Sequence, residues 1–243
     1  MRRLILTDVH AVLPALEAVI KDAGSVDEVV FLGDLVAFGP HPADCVDLMA
    51  SLDPIGVRGN HDQAVLDANT IEISANSAAS LIWDRWTYDQ LSNAHRDFLA
   101  NLPESQVIQS EGSPVRLTHF LPAADGGYLH PDMPDEIFAA RLAKFSEPTV
   151  YTGHNHRVID RSVGGKRLVC FKAVGQAGDR DPVAGYAIEM DGLLEHRIVP
   201  LDIERVIQDI QALNLPEPFT TRWTNFVRSG YDPVWSRLYA PKT

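Results

Sequence analysis

The first 60 residues alternate short apolar runs with helical patterns, and few folds satisfy that alternation. "RLILT" (3–7) reads as a buried strand. Pro14 then suits a first helical turn, Leu16, Val19, Ile20 and Ala23 recur at helical spacing, and Gly24 is placed to end the helix. "EVVFLG" (28–33) is a second strand, "PADCVDLMASL" (42–52) a second helix and "PIGVRG" (54–59) a third strand. A β-α-β-α-β order of this kind favours a parallel sheet with helices packed on it.

The remainder is less regular. Residues 62–102 carry a helical pattern that includes Trp83 and Trp86, and "SQVIQSEGSPVRLTHF" (105–120) reads as two strands around a Gly-Ser-Pro turn. A helix is expected over 134–145, a strand over 148–152, and a hairpin over 158–171 turning at Gly164-Gly165. Strands near 184–190 and 193–200 complete a run expected to be mostly antiparallel. Asp202 can cap a helix whose Ile203, Val206, Ile207, Ile210 and Leu213 form one apolar stripe. The segment 214–243 carries Trp223, Phe226, Tyr231, Trp235 and Tyr239; it is expected to pack on the body, with a lid or an oligomer contact as the alternative. The whole, 1–243, is read as a single domain, and its 45% hydrophobic content is enough for a sizeable core.

Charge excludes some partners. With 33 acidic and 21 basic residues the chain is formally at −12, and no basic cluster offers a track for a phosphate backbone, so long nucleic acid is not expected as a partner. Asp8 and His10 interrupt any apolar leader in "MRRLILTDVHAVL", and no stretch approaches the roughly 20 apolar residues that cross a bilayer. Two cysteines, Cys45 and Cys170, fit a reducing cytoplasm, which is the expected location.

The chemistry lies where strands end. The first ends in Asp8-Val-His10, the second in Gly33-Asp34, the third in Gly59-Asn60-His61-Asp62, "VRLT" in His119, and "TVYT" in Gly153-His154-Asn155-His156. Open α/β sheets place their ligand crevice outside the carboxyl ends of strands, so these groups are expected to converge. On an extended backbone His154 and His156 would project to one side and reach one point. Imidazole with carboxylate suits Mn, Fe, Ni, Co or Zn, whereas an all-oxygen set would suit Mg or Ca. Seven donors, Asp8, His10, Asp34, Asn60, His119, His154 and His156, are too many for one tetrahedral ion and about right for two that share a carboxylate. Each taken alone has an ordinary reading as a turn, a helix cap or a buried histidine; their joint order at five strand ends does not.

Together these motifs resemble the calcineurin-like metallophosphoesterase superfamily over roughly residues 1–200, and "LPALEAVI", "VDEVVFLGDLVAFGPHP" and "VRGNHD" resemble its small prokaryotic phosphodiesterase subgroup. The resemblance implies an α/β fold, a four-layer α/β/β/α sandwich of two mixed sheets, with two divalent transition metal ions at the strand ends. It implies that Asp8, His10, Asp34 and His156 hold one ion, that Asp34, Asn60, His119 and His154 hold the other, and that Asp34 bridges. A metal-bridging hydroxide would attack phosphorus in line, His61 would meet the leaving oxygen, and Asp62 would orient or electrostatically support His61.

The subgroup pattern is not followed everywhere. Ala11-Val12 stand where Gly-Asn is usual, Phe120 where Gly follows the histidine, and in "CFKAVGQAGDRDP" only Val174-Gly175-Gln176 survives of the usual stretch. Substrate contacts are therefore expectations: Arg58 and Arg180 as phosphate clamps or else surface or structural arginines, and Asn76, in "SANSAAS", as a ligand contact or else part of a close helix packing. The expected activity is hydrolysis of a small phosphodiester. The alternatives are a protein Ser/Thr phosphatase, a dinucleoside-tetraphosphate hydrolase, a nuclease, or a non-catalytic metal-binding scaffold.

Overall fold

The computed structural model describes residues 1–72, 79–123, 127–176, 182–213, 215, 217 and 219–229. Its strands are β1 (Arg2–Leu6), β2 (Glu28–Phe31), β3 (Ile55–Gly56), β4 (Ser105–Ser110), β5 (Ser113–Thr118), β6 (Thr149–Thr152), β7 (Ile159–Val163), β8 (Lys166–Cys170), β9 (Val183–Met190) and β10 (Leu193–Pro200). The helices are α1 (Leu13–Ala23), α2 (Pro42–Ser51), α3 (Asn60–Asp67), α4 (Ala79–Gln90), α5 (Asn93–Asn101), α6 (Asp135–Leu142), α7 (Ile203–Ala212) and α8 (Phe219–Ser229). Among the described residues the strands form two five-stranded mixed sheets, ordered β10-β9-β1-β2-β3 and β4-β5-β6-β8-β7.

In the first sheet β1, β2 and β3 run parallel, as the early alternation requires, while β9 returns antiparallel to β1 and β10 to β9. The second sheet departs from the expected antiparallel run, because β5, β6 and β8 are mutually parallel. The reason is α6, which lies between β5 and β6 in the chain and carries it back as a crossover, so the two strands enter from the same end. The hairpin β7–β8 turns at Gly164-Gly165 as expected, both glycines being left-handed at φ 59° and 76°.

Alternation along β1 sets the layers. Ile5 faces the second sheet and joins Val30, Leu32, Leu117, Val169 and Phe171 between the sheets, whereas Leu4 and Leu6 join Leu16, Val19 and Met49 under the helices of the first sheet. On the far side Phe138 and Leu142 of α6 cover Val150 and Leu168. The order is helix, sheet, sheet, helix, so inner strands are buried on both faces and read as continuous apolar runs. Trp223, Phe226 and Val227 of α8 are buried in the same helical layer as α1 and α2. Tyr231, Trp235 and Tyr239 lie outside the described residues. No helix among the described residues is long and apolar enough to cross a membrane.

One polar network sits between the sheets. Arg3 shares the inward face of β1 with Ile5, is almost wholly buried, and pairs with Glu28 of β2 and Glu189 of β9. Its Nη2 also donates to the Gln109 carbonyl of β4 at 3.2 Å. Glu189 accepts from Tyr151 Oη of β6 at 2.7 Å and Ser110 Oγ of β4 at 2.8 Å, so one carboxylate joins strands of both sheets. Removing one partner of a buried charge pair costs about 3–5 kcal/mol, because the other charge is left without compensation. Arg3→Met should therefore lower unfolding free energy by about that amount in urea titration. A loss under about 1 kcal/mol would show that the network is no more than a surface-like ion pair.

Candidate metal centre

All seven candidate donors stand at one edge of the two sheets. Asp8 and His10 follow β1, Asp34 follows β2, Asn60 opens α3 just after β3, His119 follows β5, and His154 and His156 follow β6. Five of them hold left-handed backbone: Asp8, His10, Asp34, His154 and His156, at φ 53°, 48°, 59°, 67° and 55°. Such conformations cost non-glycine residues about 1–3 kcal/mol each and persist only where the surroundings over-determine them. Here Asp8 N–H donates to Gly33 O at 2.9 Å, His10 N–H to Asp34 O at 3.0 Å and Ala11 N–H to Leu35 O at 2.8 Å, which continues the β1–β2 pairing into the site. Val174 and Gly175, the surviving part of the last motif, donate to Thr7 O and Asp8 O at 3.0 and 2.9 Å and clamp the same turn.

The His154-x-His156 pair departs from its expected geometry. Its residues are not extended, and the rings do not reach one point: His156 clusters with Asp8 and His10, and His154 with Asp34 and His119. A left-handed turn at each histidine sends successive rings apart. His156 Nε2 lies 3.2 Å from Asp8 Oδ1 and 3.3 Å from His10 Nε2. His119 Nε2 lies 3.0 Å from Asp34 Oδ2, and His154 Nδ1 lies 2.9 Å from Asn60 Oδ1. Asp34 Oδ2 is also 3.8 Å from His10 Nε2, so this one oxygen faces both groups.

The hydrogen bonding shows what the cluster can accept. His119 Nδ1 is 2.7 Å from the Leu32 carbonyl and must donate to it, which leaves a lone pair on Nε2 facing the Asp34 carboxylate in the neutral ring. Asp34 Oδ2 and His119 Nε2 are both buried without a hydrogen-bond partner. Two acceptors facing each other at this distance call for a proton or a cation between them. Burial lowers His119, but the neighbouring Asp34 charge reverses this and lifts it to about 9. Burial holds His10 and His154 down to about 3, while it raises Asp8 less than His156 and His119 lower it, leaving Asp8 at about 2. Ionised carboxylates beside His10 and His154, both held neutral, and a His119 whose proton a cation would replace are a competent donor set for borderline divalent ions, so the residues present fit two metals.

Close backbone approach makes this possible at two glycines. A Cβ on Gly59 would collide with the Asp34 carboxylate and backbone nitrogen, and one on Gly153 would strike Thr7 Oγ1 and come within 2.6 Å of Asp8 Oδ2.

His61 and Asp62 behave differently from each other. His61, the second residue of α3, keeps an exposed edge and belongs to neither donor group. Its backbone N–H donates to Asp34 Oδ1 at 2.8 Å, and its ring meets the Phe38 ring edge-on at 4.7 Å and the His10 ring at 5.4 Å. Burial of most of the ring holds its pKa below the usual imidazole value, against the pull of Asp34. A phosphate anion arriving beside it would raise it again. Asp62 has the expected place but not the expected contact. Its carboxylate accepts from the backbone N–H groups of Asp34, Leu35, Val36 and Gly59 at 2.8–3.1 Å, and not from the His61 ring. It is a strut that ties the loop after β2 to the loop after β3. Burial, with the Asp34 charge adding, lifts it to about 6, and the N–H groups of Gly59 and Val36 oppose that.

Arg58 lines a cleft of about 290 Å³ with Asn60, Gln63, Glu104, His119 and Phe120, but its Nη1 is engaged by the Ala100 carbonyl at 2.8 Å. Asn76 and Arg180 lie outside the described residues. Phe120 needs no glycine-like backbone, being absent from the left-handed set, whereas Ala11 does take φ 53° where the subgroup usually has glycine. Three aromatic neighbours escaped the sequence reading. Tyr128 stacks on the His154 ring at 4.4 Å, Phe38 packs on His61 and His10, and Trp223 stacks on Phe38 at 5.3 Å. Only Phe38 carried a signal, standing in the loop that follows Asp34 in "GDLVAFGPHP".

Comparison with known proteins places the chain in a family. Residues 1–190 match the model of the calcineurin-like phosphoesterase superfamily domain. An uncharacterized protein of Methanocaldococcus jannaschii is 29% identical over 234 residues, covering 88% of this chain and 93% of its own. The crystal structure of a metallophosphoesterase from Sphaerobacter thermophilus is 30% identical, with a TM-score of 0.73 over 95% of this chain and 99% of that one. A hypothetical protein of Pyrococcus horikoshii, 18% identical, shares the fold at a TM-score of 0.79 over 95% of this chain and 99% of its own. The chain belongs to the calcineurin-like phosphoesterase superfamily, hydrolases of phosphoester bonds that bind a dimetal centre.

Proposed function

We propose that the chain is a metal-dependent phosphodiesterase acting on small diesters. The observation that carries this reading is Asp34 Oδ2, a buried carboxylate oxygen with no hydrogen bond that faces both donor groups. Asp8, His10, Asp34 and His156 would hold one ion and Asp34, Asn60, His119 and His154 the other, with Mn, Fe, Ni, Co or Zn suited to the mixed donors. Two such cations supply Lewis-acid charge to the phosphoryl oxygens and an activated water for in-line displacement.

The chain's own residues do the rest. The His61 N–H donates to Asp34 Oδ1 and fixes the carboxylate so that Oδ2 faces both donor groups, and Asp34 would be the ligand shared between the ions. His119 is fixed in the tautomer that presents Nε2 by the Leu32 carbonyl. His61, with its exposed edge beside the donors, would give a proton to the departing oxygen.

A diester is favoured over a monoester by charge. Among the described residues the cleft presents one guanidinium, Arg58, already tethered to Ala100 O, and a phosphomonoester dianion would ask for more cation than that. A small substrate also suits a cleft of about 290 Å³ in a chain of net charge −12, and this makes a protein phosphatase or a nuclease the weaker reading. Both cysteines are free and buried, in keeping with a cytoplasmic setting.

Asp34→Asn should strip both ions, with a loss beyond the about 10- to 100-fold typical of outer-shell changes. Elemental analysis beside a chromogenic diester assay checks this; two metals per chain with unchanged turnover would refute the shared-carboxylate reading. A wild-type protein that holds two metals yet hydrolyses no ester across a screen of mono-, di- and dinucleotide phosphates would be the scaffold instead. His61→Ala should keep its metals and lose about 10²- to 10⁴-fold in kcat/KM on an alkyl diester, with much less loss on a p-nitrophenyl diester, whose leaving group departs without a proton. Equal losses on the two substrates would leave His61 as a packing or phosphate-positioning residue.

A further inference from the structure

The segment matched by the family ends at residue 190, yet α8, beyond it, reaches the site. Trp223 stacks on Phe38 with ring centroids 5.3 Å apart and planes 19° from parallel. The Phe38 ring in turn meets His61 at 4.7 Å and 69°, and His10 at 5.6 Å. Trp223 is backed by Phe226, stacked at 5.3 Å, and by Trp83 of α4 at 6.2 Å. Phe38 and its neighbour Ala37 both hold left-handed backbone, at φ 67° and 71°. A bulky side chain in that conformation is strained and needs a contact that holds it there. The indole of Trp223, stacked on the ring, is one such contact.

From these contacts we infer that Trp223 is a positioning residue for His61, acting through Phe38, so that α8 completes the site from beyond residue 190. Aromatic pairs in offset-stacked and edge-to-face geometry resist sliding. A stack on one side of Phe38 and the His61 edge on the other fix where the imidazole points. The inference rests on the general-acid reading of His61 and assigns Trp223 no contact with substrate. Ordinary core packing by Trp223 would make a different prediction, namely a loss of stability that affects all substrates alike.

The test uses the full-length, metal-loaded protein. Trp223→Leu keeps the site apolar while removing the stack, with some loss of buried volume; Phe38→Leu removes the middle ring; Trp223→Phe restores a stacking face. Each is assayed for kcat on the alkyl and p-nitrophenyl diesters, with metal content and Tm recorded and His61→Ala run alongside. We expect Trp223→Leu and Phe38→Leu to keep both metals and to lose about 10- to 100-fold on the alkyl ester, the scale of a small misplacement of a catalytic group, with little loss on the aryl ester. Trp223→Phe should recover most of the alkyl activity. The His61 ring resonances in histidine-labelled protein should move in Trp223→Leu, a readout independent of turnover and of whether that variant is less stable.

Equal losses on both esters, or unmoved His61 resonances, would overturn the inference while leaving the general-acid reading intact if His61→Ala still discriminates the esters. If His61→Ala fails to discriminate them, both fall together.

Discussion

Everything at the strand ends depends on one buried charge, the carboxylate of Asp34. Its two oxygens do different work: Oδ1 accepts the His61 N–H, and Oδ2 faces imidazole nitrogens from both donor groups without a hydrogen bond. A buried carboxylate oxygen with no donor is costly unless a cation or a proton sits beside it. A proton on His119 would meet that need: burial lowers its pKa, but the Asp34 charge outweighs this and lifts it to about 9, while burial holds the neighbouring His10 and His154 down to about 3. Two cations held by the donor groups would meet the same need from both sides, and their binding would release that proton.

That arrangement is held by backbone more than by side chains. Left-handed turns at Asp8, His10, Asp34, His154 and His156 aim their donors inward, and their combined strain is balanced by main-chain bonds that extend the β1–β2 pairing past the strand ends. Asp62 contributes by gathering four amides from two loops. Its substitution would be felt at Asp34 and Asn60 before it was felt at His61. Catalytic importance and direct contact with the reacting atoms are thus separate properties here.

The early β-α-β-α-β order was legible because two periodicities alternate cleanly and each helix carries its own start or stop, Pro14 and Gly24 for α1. The donors were legible because metal chemistry demands Asp, Asn and His, and strand ends are where open sheets expose them. The parallel pairing of β5, β6 and β8 was not, since it turns on a crossover through α6 rather than on any pattern within the strands. The divergence of His154 and His156 was hidden because positive φ in a non-glycine residue leaves no mark in sequence. The role the resemblance gave Asp62, orienting or electrostatically supporting His61, did not foretell its contacts, because the N-terminus of a helix points its third residue back at the preceding amides. Trp223 was invisible as a neighbour of Phe38 because nothing local links residues so far apart in the chain.

The two flanks of the centre are chemically unlike, and this constrains how an ester can lie in it. On the Asn60 and His119 side opens the cleft with Arg58, Gln63, Glu104 and Phe120, which offers both hydrogen-bonding groups and an aromatic face. On the His61 side stands the wall of Phe38 and Trp223, almost wholly buried. In-line displacement places the incoming and departing oxygens on opposite sides of phosphorus. Under the proposed mechanism, with His61 meeting the departing oxygen, the leaving group would lie on the His61 side, where Phe38 and Trp223 back the imidazole but are too buried to touch that group. The group that stays on phosphorus would be the one free to enter the polar cleft. Selectivity for the retained half of the substrate then comes from hydrogen bonds in the cleft, where a missing partner is costly. The leaving half would meet little beyond the His61 imidazole, because the rings behind it are buried, so few contacts would discriminate among leaving groups. An enzyme built this way would be strict about one ester arm and tolerant of the other.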